Sequence, residues 1–102
     1  MSDRVAALMG MLAKRPDDPR LRFGLAAEYE KLEQWDKVVE QLQAYLHTTD
    51  DQGNAWGRLA LALRKLGREA EAATALQKGI DAARRHGHPS MAAEFEEMLE
   101  QQ

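Results

Sequence analysis

The strongest constraint on how this chain folds is a recurrence at one fixed spacing. Leu25 returns as Leu59, Ala26 as Ala60, Leu32 as Leu66, Leu42 as Leu76 and Leu46 as Ile80, each pair one 34-residue step apart. Val38 and Val39 meet Ala72 and Ala73 at the same step, and Leu8 and Leu12 lie one step before Leu42 and Leu46. A repeat that cannot bury its own apolar face must stack on a neighbour, so such a period predicts a small helical array rather than a fold with one deep cavity. At 102 residues there is room for three such steps.

Within each step apolar residues recur at three and four, the spacing of one helix face, and no strand-like alternation is present. Val5, Leu8, Met9 and Leu12 form the first stripe. Leu25, Tyr29 and Leu32 form the second, and Val38, Val39, Leu42, Tyr45 and Leu46 the third. Trp56, Leu59, Ala60 and Leu63 form the fourth; Ala72, Ala73, Leu76 and Ile80 the fifth; Met91, Phe95, Met98 and Leu99 the sixth. Helix punctuation falls between them. Asp18 before Pro19 supplies a side-chain acceptor at an N-cap and, at the first helical position, a residue with no N–H to leave unpaired. Asp50 and Asp51 precede the fourth helix and Pro89 opens the sixth, while Gly67 after Leu66 suits a left-handed helix stop. Six helices in one all-α domain over residues 1–102 are expected: 3–15, two helix pairs over 18–50 and 52–86, and a last helix over 89–101.

The 34-residue period, together with Trp56, Leu59, Ala60, Leu63, Gly67, Ala72, Leu76 and Ile80, resembles the tetratricopeptide repeat (TPR) family. Leu25, Ala26, Tyr29, Leu32, Val38, Leu42 and Leu46 fill the corresponding slots one step earlier, and Pro16 lands on the family's repeat-ending proline. The resemblance covers residues 5–86 and implies antiparallel helix pairs wound into a superhelix: a half repeat, two full repeats and a capping helix. Glu33 departs from it where the turn glycine belongs, as does Arg22 at the aromatic slot, and Tyr45 and Gly79 stand at a slot usually given to alanine. The HGHP turn, residues 86–89, sets the last helix out of phase.

The same resemblance implies a concave groove lined by the first helix of each repeat. The groove slots are Arg20, Phe23, Ala27, Glu30 and Lys31 in the first repeat and Asn54, Arg58, Leu61, Arg64 and Lys65 in the second. Arg58, Leu61 and Arg64 or Lys65 are three or four apart and share a helix face. Such a face suits an extended peptide carrying carboxylates, where arginine makes bidentate contacts. The lysine and asparagine pair that TPR carboxylate clamps use on successive first helices is not matched by Phe23 and Ala27 or by Gly57 and Leu61. The expected function is therefore a noncatalytic scaffold that binds a protein or peptide partner, acidic in character. The alternative is a homodimer built from Val5, Met9, Met91, Phe95 or Met98.

Charge agrees with a local basic surface on an acidic chain. Residues 1–51 hold seven Lys/Arg against ten Asp/Glu, residues 52–88 seven against three, and residues 89–102 none against four, within a net charge of −3. That total disfavours nucleic acid as a partner. With no cysteine, thiolate chemistry and cysteine metal sites are excluded. His86 and His88 form an H-x-H pair without a third ligand at suitable spacing, so a solvated turn is expected and no metal or cofactor. Gly57 and Gly67 lack the Lys-Ser/Thr of a phosphate loop; Gly67 is expected to end a helix, Gly57 to allow close approach, and Trp56 to pack in the core. No nucleophile has a base beside it, and an enzyme is not expected. VAALMGMLA (residues 5–13) is too short to span a bilayer and runs into Lys14, Arg15 and Pro16 without a cleavage site, so a cytoplasmic protein with no membrane partner is expected.

Overall fold

The computed structural model describes residues 2–101, in six α-helices with no strand among them: α1 (Asp3–Lys14), α2 (Pro19–Lys31), α3 (Trp35–Thr48), α4 (Asn54–Lys65), α5 (Glu69–Arg85) and α6 (Pro89–Glu100). Against the sequence expectation, the ends shift by a residue or two, the usual latitude of frayed termini. The helices form two compact units, Met1–Thr49 with α1 to α3 and Asp50–Gln102 with α4 to α6.

Helix starts follow local chemistry. The Ser2 hydroxyl accepts from the Val5 amide at 3.1 Å, and Asp18 accepts from the Arg20 amide at 3.0 Å with Pro19 inside the first turn. Asp51 acts two residues earlier than an ordinary cap would: its Oδ2 accepts from the amides of Gly53 and Ala55, at 2.8 and 2.9 Å, because Gly53 itself stands at the N-cap. Helix stops are more uniform. The Gln34 amide donates to the Tyr29 carbonyl and the Glu33 amide to that of Glu30, both at 3.0 Å. One 34-residue step later, Arg68 donates to Leu63 at 2.8 Å and Gly67 to Arg64 at 2.9 Å. This paired arrangement satisfies the last carbonyls of the first helix and needs a left-handed residue just past its end. Gly67 provides it at φ 76°, and Glu33 provides it at φ 55°. The two turns are alike although only one has glycine.

In the first unit Val5, Leu21, Leu25, Ala26, Tyr29, Val38, Val39 and Leu42 are buried. Leu32, expected in the stripe, is 41% exposed because it stands at the C-cap of α2, where the helix has already ended. Two polar residues are also buried, Glu28 and Gln41. Glu28 Oε1 accepts from Arg4 Nε of α1 at 2.6 Å and from Lys31 Nζ at 3.3 Å, and Gln41 Oε1 accepts from Arg22 at 3.3 Å. A buried carboxylate is tolerated only when so paired. Burial pushes the Glu28 carboxyl up, but the hydrogen bonds from Arg4 and Lys31 and their charges outweigh it, and the group sits below its ordinary value.

The second unit is built largely from alanine. Ala55, Ala60, Ala62, Ala72, Ala75, Ala82, Ala83 and Ala92 are buried around Leu59, Leu63, Leu76, Ile80 and Phe95. Trp56 is not in this core but half-buried at its margin, since Ala55 takes the inward position beside it. The Trp56 ring instead lies under the Lys78 ammonium, 5.4 Å from the centroid.

Two stability predictions follow from these contacts. Glu33→Gly should stabilise the fold and Gly67→Ala destabilise it, each by about 1 kcal/mol, the cost of a side chain in the left-handed region; urea unfolding of both variants reads the signs. The second concerns Glu28, whose depressed value gives stability that is full above the ordinary carboxylate pKa of about 4.3 and is lost as pH falls through the folded value. Glu28→Gln should therefore melt below the wild type at neutral pH, with the gap closing below about pH 4; melting curves across that range check it.

Candidate functional site

The expected groove residues fall on two helices in separate units. On α2, Arg20, Phe23, Ala27 and Glu30 follow one face at steps of three and four, and none is buried. The Arg20 guanidinium forks across both oxygens of Asp18 at 3.1 and 3.0 Å, and that hydrogen bonding holds the Asp18 carboxyl below its usual range. Phe23 is half-buried against Tyr45 of α3, ring centroids 5.2 Å apart and tilted by 51°. Lys31 is drawn to Glu28, as above. This face of α2 is thus an ion-paired end followed by an aromatic pair.

On α4, at about 100° per residue, Asn54, Arg58, Leu61 and Lys65 fall within one narrow arc. Leu61 is 43% exposed, Asn54 and Lys65 are exposed, and Arg58 is intermediate. Arg64, one residue before Lys65, is turned about a quarter of the way round the helix. Its guanidinium donates to the Met98 carbonyl of α6 at 2.6 Å and approaches Glu69 at 3.8 Å, which leaves its side chain only 21% exposed. The same carbonyl accepts from the Gln101 amide at 3.3 Å, and a cation on the last carbonyls of a helix opposes the negative end of its dipole. The pairing of Arg64 with Lys65 as interchangeable groove cations does not survive this geometry. Arg64 belongs to the docking of α6; Lys65 keeps the outward position.

Close approach places α6 on its neighbours. A Cβ at Gly57 would stand 2.7 Å from the Phe95 ring and one at Gly79 would stand 3.0 Å from it, so the two glycines of α4 and α5 accommodate that ring. Phe95 is consequently buried, and Val5 is buried in the first unit, while Met91 and Met98 are half-buried and Met9 is exposed. Of the residues named for a dimer, only Met9 is openly displayed.

The two histidines bind the unit internally. Asp50 Oδ2 accepts from His86 Nε2 at 3.2 Å while Arg85 contacts Oδ1 at 3.3 Å, and Gln52 Oε1 accepts from His88 Nε2 at 2.7 Å. The HGHP turn is thereby fastened to the segment before α4. Among the described residues no group of three or more His, Asp or Glu could hold a metal ion, and no helix is long and apolar enough to cross a membrane. A separate shallow cavity in the first unit, between residues 16–19 and the end of α3, is lined by Arg22, Gln43, His47 and Thr48. Sequence spacing gave no sign of it, since its walls come from a loop and a helix end.

The fold defines an all-α protein whose helical hairpins α2–α3 and α4–α5 share one turn geometry. No family model matches the sequence, and no curated protein does. Among solved structures the chain is similar to the solution structure of protein BPP2914 from Bordetella parapertussis, with 31% identity and a TM-score of 0.80 over 99% of this chain and 88% of that one. At that identity and coverage, the chain belongs to the same family as the Bordetella protein.

Two substitutions test how α6 is held. Gly57→Ala should force the Phe95 ring outward and Arg64→Met should leave the Met98 carbonyl without its cation, each destabilising the fold by about 1 to 3 kcal/mol. Faster amide exchange in α6 than in α4 would locate the loss there.

Proposed function

We propose that the chain is a noncatalytic TPR adaptor that captures an acidic peptide or protein segment along the outward strip of α4. The observation that carries this is the alignment of Arg58, Leu61 and Lys65, with a leucine exposed between two cations. An exposed leucine flanked by positive charge fits a ligand that alternates carboxylates with an apolar side chain. Arg58 supplies bidentate contacts, Lys65 a point charge, Leu61 the apolar seat and Asn54 an amide for the ligand backbone. The Phe23 and Tyr45 pair offers a second apolar seat on the first unit, and Ala27 and Glu30 continue that face of α2. The TPR reading rests on the 34-residue recurrence and on the matching turns at Glu33 and Gly67. A cytoplasmic setting completes this reading; among the described residues no helix is long and apolar enough to cross a membrane.

Fluorescence anisotropy with labelled peptides rich in Asp and Glu and bearing one Leu or Phe tests the proposal. Binding should weaken about tenfold or more in the Arg58→Glu/Lys65→Glu double variant, fall with added salt, and weaken by a smaller factor in Leu61→Ala. Equal binding by the folded double variant, or no binding by the wild type, overturns it. Arg64 is left unchanged in these variants because its loss would disturb α6 as well.

A further inference from the structure

Helix α1 is anchored from one side only. Val5 is fully buried and Leu8 and Leu12 are half-buried. At about 100° per residue the opposite side carries Asp3, Ala7, Gly10 and Lys14 in one line, with Ala6 and Ala13 on one flank and Met11 on the other. All seven are exposed, Met11 by 39%. Neither Asp3 nor Lys14 forms an ion pair with any other described residue. Gly10 stands in mid-helix, where glycine costs about 1 kcal/mol against alanine, yet among the described residues, apart from its chain neighbours and the backbone of its own helix, nothing lies within 4 Å of the place its Cβ would occupy. Packing within the chain therefore gives no reason for a glycine there, whereas a second backbone lying across the helix would.

We propose that this face of α1 pairs with the α1 face of a second copy, antiparallel about a two-fold axis passing between residues 7 and 10. In that register Asp3 of one copy opposes Lys14 of the other, Ala7 opposes Gly10, and symmetry repeats both contacts. The two Met11 side chains share one flank and the alanines the other. Small residues at the centre allow the helix axes to approach near the short end of the usual 8–10 Å range. The face is complementary to itself in charge, as a two-fold interface must be. Parallel pairing would instead set Asp3 on Asp3 and Lys14 on Lys14, so the end charges select the antiparallel arrangement. A partner of a single charge sign would be attracted at one end and repelled at the other. One pair of three-turn helices buries less than a standard interface of about 1,600 Å², so the dimer is weak and depends on concentration.

The test uses the full chain in sedimentation equilibrium from micromolar to millimolar concentration. The wild-type mass should rise from monomer toward dimer. Asp3→Lys or Lys14→Asp alone should weaken association about tenfold, and the two combined should restore it. Gly10→Leu points into open space in the monomer and replaces a poor helix former, so it should keep the helical circular-dichroism spectrum and raise the melting point slightly while abolishing the dimer. Because the chain has no cysteine, Ala7→Cys chains mixed with Gly10→Cys chains and oxidised should crosslink to each other in preference to themselves. A monomer at every concentration, a charge swap that fails to restore association, or preferential crosslinking of Ala7→Cys to itself overturns the proposal. None of these variants touches α4, so the peptide-binding reading stands or falls separately.

Discussion

Everything else in each hairpin depends on a helix that stops abruptly and reverses within a few residues. The stop is a backbone arrangement in which two consecutive amides past the helix end turn back onto its last carbonyls, and it requires one left-handed residue. Once Glu33 or Gly67 takes that conformation, the second helix begins two residues later, at Trp35 or Glu69. Only then do the apolar stripes of the two helices face each other. The 34-residue period thus has a local cause: α2 ends at Lys31 and α4 at Lys65, and α3 and α5 begin one step apart in the same way. That Glu33 holds the position against its own steric preference shows packing overriding propensity in the first hairpin.

What could be read from sequence was whatever has a strong periodic or stereochemical signal. Large aliphatic residues at three and four, Asp18 before Pro19, and Gly67 after Leu66 each point to one local structure. Alanine has no comparable signal, because it favours helix whether buried or exposed. The alanine core of the second unit is therefore invisible until the helices that press on it are in place. Gly57 was legible as a site of close approach, but its neighbour was not, because Phe95 lies on the helix that breaks the repeat phase. Trp56 illustrates the limit of spacing rules: it shares a quadrant with Leu59 and Leu63, yet a residue at the edge of a stripe packs only its Cβ side, here against Gly79.

Charge was the least legible feature. Glu28 lies one repeat step before Ala62, and both positions are buried. In the first unit α1 brings Arg4 to that place, so a carboxylate can be accommodated; in the second the same slot is apolar. No property of Glu28 alone distinguishes it from the solvated glutamates on other helices. Arg64 and Lys65 make the same point in reverse. Adjacent cations in sequence diverge by a quarter turn, and the one facing α6 becomes part of the scaffold.

The outward surfaces of α1 and α4 differ in what they can recognise, and the difference follows from where their charges sit. Under the proposed function, a cation on either side of Leu61 favours an acidic segment over a second copy of that strip. The ridge of α1 carries one charge of each sign at equal distances from its middle. Turned end for end, it meets its own opposite at both termini. Like-charge contact at even one end costs enough to reject a partner whose burial is small, and the antiparallel copy avoids that contact at both. The acidic overall charge of the chain does not cancel either effect, since screening confines each charge to about 8–10 Å. On the two proposals together, two faces of one small chain favour different partners.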